Sequence, residues 1–128
     1  MIHNGIEIWH DGCYYYGMEA FKTSYFKICL KEIYRVYSNW SIVESKIICW
    51  VNKSFQNENY LDKISGVVPK GETEDKMRYL VQNTNMPLLK QAILMRVETR
   101  KKESFAGKII SAMRNQFGGH MVNKISKI

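Results

Sequence analysis

Residues 104–122 read "SFAGKIISAMRNQFGGHMV", and the spacing of their apolar side chains decides how the chain is built. Phe105, Ile109, Ala112, Met113 and Phe117 recur at helical intervals, which puts them on one face of an α-helix. Ser104 stands where a side-chain oxygen caps the first free amides. Gly118-Gly119 stands where a helix stops, because glycine takes the left-handed conformation without a Cβ penalty. Arg114 falls in the last turn and His120 just past the glycines. A guanidinium is a planar donor fork suited to phosphate or carboxylate, and an imidazole adds a donor, so the two could clamp an anion. A cation at a helix C-terminus followed by a glycine cap is also ordinary helix termination. The pattern leaves both readings open.

The same helical period runs through the chain upstream. Met18, Phe21, Tyr25, Ile28, Cys29, Ile33 and Val36 predict one long amphipathic helix over residues 14–37, interrupted at Ser38-Asn39. Val43, Ile47, Trp50 and Val51 predict a second over 40–56. "NENYLDKI" fits a short helical turn and "SGVVPKGE" a loop. Glu72, Glu74 and Asp75 suit the positive end of a helix carrying Met77, Leu80 and Val81. Pro87 suits the first position of a helix bearing Leu88, Leu89, Ala92, Ile93 and Met95 and reaching about Lys102. No segment reads as a β-strand. The expected fold class is all-α, with five or six helices in one domain over residues 1–128.

Composition narrows the function classes. A chain of 128 residues with 45% hydrophobic and 24% charged residues can bury one core, and no run approaches the roughly 20 apolar residues of a membrane helix. "MIHNGIEIW" lacks a basic segment followed by an apolar core, so a secretory signal is not expected, and a soluble cytoplasmic location is. Cys13, Cys29 and Cys49 form no zinc spacing and are expected as buried reduced thiols. The net charge of +7 admits a nucleic acid, an acidic surface or a phosphorylated metabolite. No helix-turn-helix or zinc pattern supports a nucleic acid, and Trp9, Trp40, Trp50 and the "CYYY" run read as core or interface aromatics.

The 104–122 stretch also resembles the C-terminal signature of the short, bacterial and archaeal type of 6-phosphogluconate dehydrogenase. "MIHNGIE" at residues 1–7 resembles that family's catalytic-helix motif. "EIYRVYSNWSIVESKI", "YLDKISGVVPKGE" and "MPLLKQAILMRVETR" follow in the family's order. The family oxidises and decarboxylates 6-phosphogluconate to ribulose 5-phosphate in the pentose phosphate pathway. It uses NADP or NAD held by a Rossmann domain, together with a helical domain for substrate binding and dimerisation. The resemblance thus implies a C-terminal-like substrate and dimerisation domain. Its partners would be 6-phosphogluconate or a similar phosphorylated sugar acid, and a second copy of the chain or a separate Rossmann-domain chain. Membrane and nucleic acid are not implied.

Carried over residue by residue, Glu7 matches the general acid that protonates the enediol once carbon dioxide has left. His3 and Asn4 match substrate contacts, Arg96 an arginine on the substrate phosphate, and Lys70 a substrate-loop lysine. Arg114 and His120 match residues that reach into a partner subunit's site. The family's general-base Lys falls immediately before the position of Met1, and no G-x-G-x-x-G occurs. The chain by itself is therefore expected neither to bind the cofactor nor to turn substrate over; a non-catalytic helical dimerisation or interaction module is the alternative. "IWHDGCYY" at residues 8–15 separates Glu7 from "YGMEAF". It reads as an insertion or a diverged segment, and as an insertion it would displace Glu7 from its support.

Overall fold

The computed structural model describes residues 1–23, 27–57 and 59–125. They form six α-helices in the order α1 (Ile2–Thr23), α2 (Leu30–Tyr37), α3 (Lys46–Gln56), α4 (Glu74–Asn83), α5 (Pro87–Glu98) and α6 (Phe105–Gln116), with a 3-10 turn at Leu61–Lys63. The all-α expectation is met. Among the described residues β-pairing is limited to an isolated antiparallel bridge between Ile64 and Lys124. No described helix is long and apolar enough to cross a membrane.

Helix α1 spans the molecule and joins two apolar clusters. Its C-terminal half places Tyr15 and Met18 against Tyr34 of α2, Ile48 and Val51 of α3, and Ile109, Ile110 and Met113 of α6. Its N-terminal half places Ile8 against Met77 and Leu80 of α4 and Leu89, Ala92 and Ile93 of α5. Small residues let α5 come close there. A Cβ on Gly5 would lie 3.1 Å from Leu89 Cδ2, and one on Gly12 would lie 3.5 Å from the Ala92 Cβ.

Residues 64–69 cross the N-terminal end of α6 as a strap whose backbone polar groups are satisfied by side chains. Ser65 Oγ and the Gly66 amide donate to the two Glu103 oxygens, at 2.7 and 3.1 Å. The Val68 amide donates to Thr99 Oγ1 at 2.9 Å, and the Val67 carbonyl accepts from Ser111 Oγ at 3.3 Å. Gly66 lies against the Ser104 backbone and Gly107 against that of Gly66, leaving no room for a side chain on either. These bonds hold Pro69 and Gly71 beside α6, at the edge of a cleft.

Several boundaries differ from the sequence expectation. The helix expected over 14–37 is two helices. The first begins at Ile2, twelve residues early, and ends at Thr23, whose hydroxyl bonds back to the Glu19 and Ala20 carbonyls, a local competitor to further helix. Tyr25 lies outside the described residues. α3 starts only at Lys46, where Ser45 caps it by accepting from the Ile48 amide; before it Trp40 takes a left-handed φ of 61° and is 97% exposed. α5 ends at Glu98 instead of about Lys102, the chain turning at Thr99. α6 follows its expectation: Ser104 accepts from the Gly107 amide at 2.9 Å, and Gly118 and Gly119 have φ of 109° and 67°. The expected burial of the cysteines is not found. Cys13 and Cys29 are exposed and Cys49 is half-buried, and all three are free thiols.

Candidate functional site

A cleft of about 240 Å³ opens between the N-terminal half of α1, the start of α4, the end of α5 and the end of α6. This is smaller than the roughly 300–1,000 Å³ of drug-sized sites and suits a small polar metabolite. Its floor is apolar, with Ile8, Met77, Ile93 and Met113, and its walls are charged. Buried helical scaffolding therefore fixes the polar groups above it.

Helix spacing explains how α1 supplies three polar groups to this cleft. Asn4, Glu7 and Asp11 follow one another at intervals of three and four, so they share the side of α1 that carries Ile8. Residues 8–15 lie inside the uninterrupted α1, and Glu7 still faces the cleft. Asp11 is 1% exposed, and its Oδ2 accepts from Arg96 of α5 at 2.9 Å, while its Oδ1 has no hydrogen-bond partner among the described residues. Burial pushes this carboxyl up to about 7; Arg96 pulls the other way, and the Glu7 carboxylate adds to the rise.

The other guanidiniums are held differently. Arg100 pairs with Glu74 and donates from Nε to the Val68 carbonyl at 3.0 Å. Glu74 also accepts from Arg78, and these bonds, Arg100 first, hold it down to about 2 despite partial burial. Arg114, one turn from the end of α6, donates to the Pro69 carbonyl at 3.0 Å and makes no ion pair among the described residues. Burial, then the neighbouring Arg96 and Arg100, lowers its affinity for its proton. It remains a cation in any accessible pH range. A partly desolvated guanidinium with one neutral partner is the cleft's best-placed group for an incoming anion.

After the glycine turn the chain folds back, with Asn115 Nδ2 donating to the His120 carbonyl at 3.0 Å, and the His120 ring returns to the cleft. Arg114 and His120 therefore both line this cleft. The reason is local: α6 packs on α1, and Gly118-Gly119 reverses the chain within reach of the same opening.

Of the residues singled out from sequence, the structure brings Asn4, Glu7, Arg96, Arg114 and His120 to one cleft. His3 and Lys70 stand outside it. His3 is exposed with its ring against Asn4, and Lys70 turns away to pair with Asp75 at 2.8 Å. Asp11, Glu74 and Arg100 were missed. Asp11 carries a legible signal, a carboxylate set between Ile8 and Tyr15 on the buried face of a helix. Arg100 sits in the basic run "RVETRKKES", which reads as a wetted face; in the structure it turns inward to Glu74.

A dinucleotide needs a glycine-rich turn between a strand and a helix to cradle its pyrophosphate. None of the eight glycines stands in such a turn: Gly5, Gly12, Gly17 and Gly107 are inside helices, and the rest are in the strap, the loop after it and the α6 stop. The described residues do not supply that mode of dinucleotide binding.

No family model matches the chain, and no solved structure gives a significant match. Two curated proteins do. The Bacillus subtilis protein YqeC, provisionally named a 6-phosphogluconate dehydrogenase, is 29% identical over 126 residues, covering 97% of this chain. The NAD(+)-dependent, decarboxylating 6-phosphogluconate dehydrogenase of Haloferax volcanii is 24% identical over 125 residues, covering 95%. In each case the chain spans 42% of the relative's length. Over that shared part, this all-helical chain is a relative of the 6-phosphogluconate dehydrogenases.

Proposed function

We propose that the chain provides the substrate-binding part of a phosphogluconate dehydrogenase-type assembly, its cleft taking 6-phosphogluconate or a similar phosphorylated sugar acid. The observation that carries this reading is the convergence of Arg96, Arg114, His120, Asn4 and Glu7, from both ends of the sequence, on one opening. Arg114 and Arg96 would hold the phosphate, and His120 and Asn4 would bond sugar hydroxyls or the carboxylate. Glu7 would stand over the sugar carbons as the acid that returns a proton to the enediol left by loss of carbon dioxide. Hydride transfer to NAD or NADP would fall to a nucleotide-binding part, supplied by a separate chain or segment, with the assembly dimeric and cytoplasmic.

Thermal denaturation with added 6-phosphogluconate tests this. A ligand that binds only the native state at a hundredfold excess over its Kd stabilises by about 2.7 kcal/mol, a shift of several degrees. Gluconate, which lacks the phosphate, should shift it far less. Equal shifts from both, or none from either, would refute the reading. Reduction of NAD or NADP by the 128-residue chain alone would refute its dependence on a second part.

A second reading, a docking or dimerisation module, is favoured by the outer face of α1, where Ile2, Ile6 and Trp9 are exposed at helical spacing. It predicts a stable oligomer in sedimentation velocity whose denaturation ignores 6-phosphogluconate.

A further inference from the structure

The cleft is not the cationic site a phosphate dianion would ordinarily select. Its walls carry four carboxyls, Glu7, Asp11, Glu72 and Glu74, against the three guanidiniums of Arg96, Arg100 and Arg114, with His120 beside them. Glu74 is committed to Arg100 and Arg78, so it is not free to compete for an incoming anion's partners. The remaining contest is at Asp11. Its carboxylate is the internal partner of Arg96, the second cation an anion could use, and Arg96 is 17% exposed toward the opening. We propose that Asp11 is the specificity-determining counter-ion of this cleft: it occupies Arg96 when no ligand is bound, and a phosphate dianion takes Arg96 over while Asp11 accepts one proton from solvent. This rests on the anion-binding reading above and adds to it a proton count.

The surroundings of Asp11 favour that exchange. Its unpartnered Oδ1 gains nothing from being charged, and its burial resists an unpaired carboxylate. On α1 it is flanked by Glu7, which disfavours a second negative charge, and by the buried phenol of Tyr15, itself beside Tyr34 of α2. From α5 it faces Arg96 and from α6 Arg114, the two cations a phosphate would neutralise. Once they are neutralised, nothing in the site compensates a charged Asp11, whose carboxyl already sits at about 7 with both cations free of ligand. The proton moves from water or buffer to an Asp11 oxygen, and no other bond is made or broken.

Calorimetric titration of 6-phosphogluconate into the full chain at pH 8, in two buffers of different ionisation enthalpy, reads the proton count directly. At that pH the phosphate is a dianion and contributes no proton of its own. The expected result is uptake of about one proton per ligand, with Kd weakening up to roughly tenfold from pH 7 to pH 8. Asp11→Asn should abolish the uptake, bind more tightly at pH 8 and lose the pH dependence. Should that variant not fold, Asp11→Ser takes its place, and His120→Gln separates any proton taken up by the imidazole from the one assigned to Asp11. Measurable binding without proton uptake overturns this inference and leaves the anion-binding reading standing. No binding by the wild-type chain at either pH overturns both.

Discussion

Asp11 of α1 and Arg96 of α5, 85 positions apart, meet at 2.9 Å beneath the cleft, and Asp11 is almost wholly shielded from water. The pair ties α1 to α5 across the sequence. It also places a titratable carboxyl where its charge is costly, so the stability of the fold should carry its signature.

The folded-state value of Asp11 is raised from 3.8 to about 7, so between those pH values the folded chain binds more protons than the unfolded one. Its contribution is therefore greatest below about pH 4 and is lost as pH rises toward 7, by an amount on the order of a few kcal/mol. Asp11→Asn should flatten the stability profile between pH 4 and 7, measured by urea denaturation. An unchanged slope in the variant would contradict the assignment.

Glu74 carries the opposite sign. It is lowered from 4.5 to about 2, so what it contributes is present above pH 4.5 and is lost as pH falls toward 2. Glu74→Gln leaves Arg100 and Arg78 without their carboxylate and should cost about 1–3 kcal/mol at pH 7, with a much smaller loss at pH 2. Thermal denaturation at the two pH values checks both the size and its disappearance in acid.

Two glycines separate packing from propensity. On Gly107 a methyl would collide with the Gly66 backbone, which the strap cannot yield without giving up its bonds to Glu103. Gly107→Ala should destabilise by at least about 1–3 kcal/mol. Gly17, exposed on α1 with nothing within 4 Å of an added methyl group, should respond the other way, Gly17→Ala stabilising by about 0.5–1 kcal/mol. Denaturant midpoints of the two variants should move in opposite directions.

The sequence was most legible where local chemistry alone sets the structure. Ser104, Pro87, Glu74-Asp75 and Gly118-Gly119 mark helix ends by capping, fixed φ, charge and left-handed backbone, and those ends stand where expected. The first helical turns of α1 were hidden because their inward face is Gly5, Ile8, Asp11 and Gly12, while the apolar Ile2, Ile6 and Trp9 face outward. That face is set by how closely α5 approaches, a tertiary fact without a periodic signal. Within the cleft, Arg96 and Arg114 could be picked out from the family's pattern. Their unequal states, one paired with Asp11 and one bonded to a carbonyl, depend on partners 85 and 45 positions away.

That inequality gives the sharpest test of which side chains receive the anion. Among the described residues Arg114 makes one hydrogen bond, to the Pro69 carbonyl, and no ion pair, with Asp11 and Glu74 acting on it only from a distance, whereas Lys70 on the same loop is exposed and paired with Asp75. Arg114→Gln should keep most of the fold's stability, because the glutamine amide can still donate toward the strap, yet remove most of the 6-phosphogluconate-dependent rise in melting temperature. A lost charged hydrogen bond of about 1.5–3 kcal/mol corresponds to roughly ten- to a hundredfold in Kd. Lys70→Gln should leave that rise intact, since its ammonium lies outside the cleft. Thermal titrations of the two variants side by side decide the matter: a rise lost in Lys70→Gln and kept in Arg114→Gln would mean that the loop lysine, not the α6 arginine, meets the phosphate.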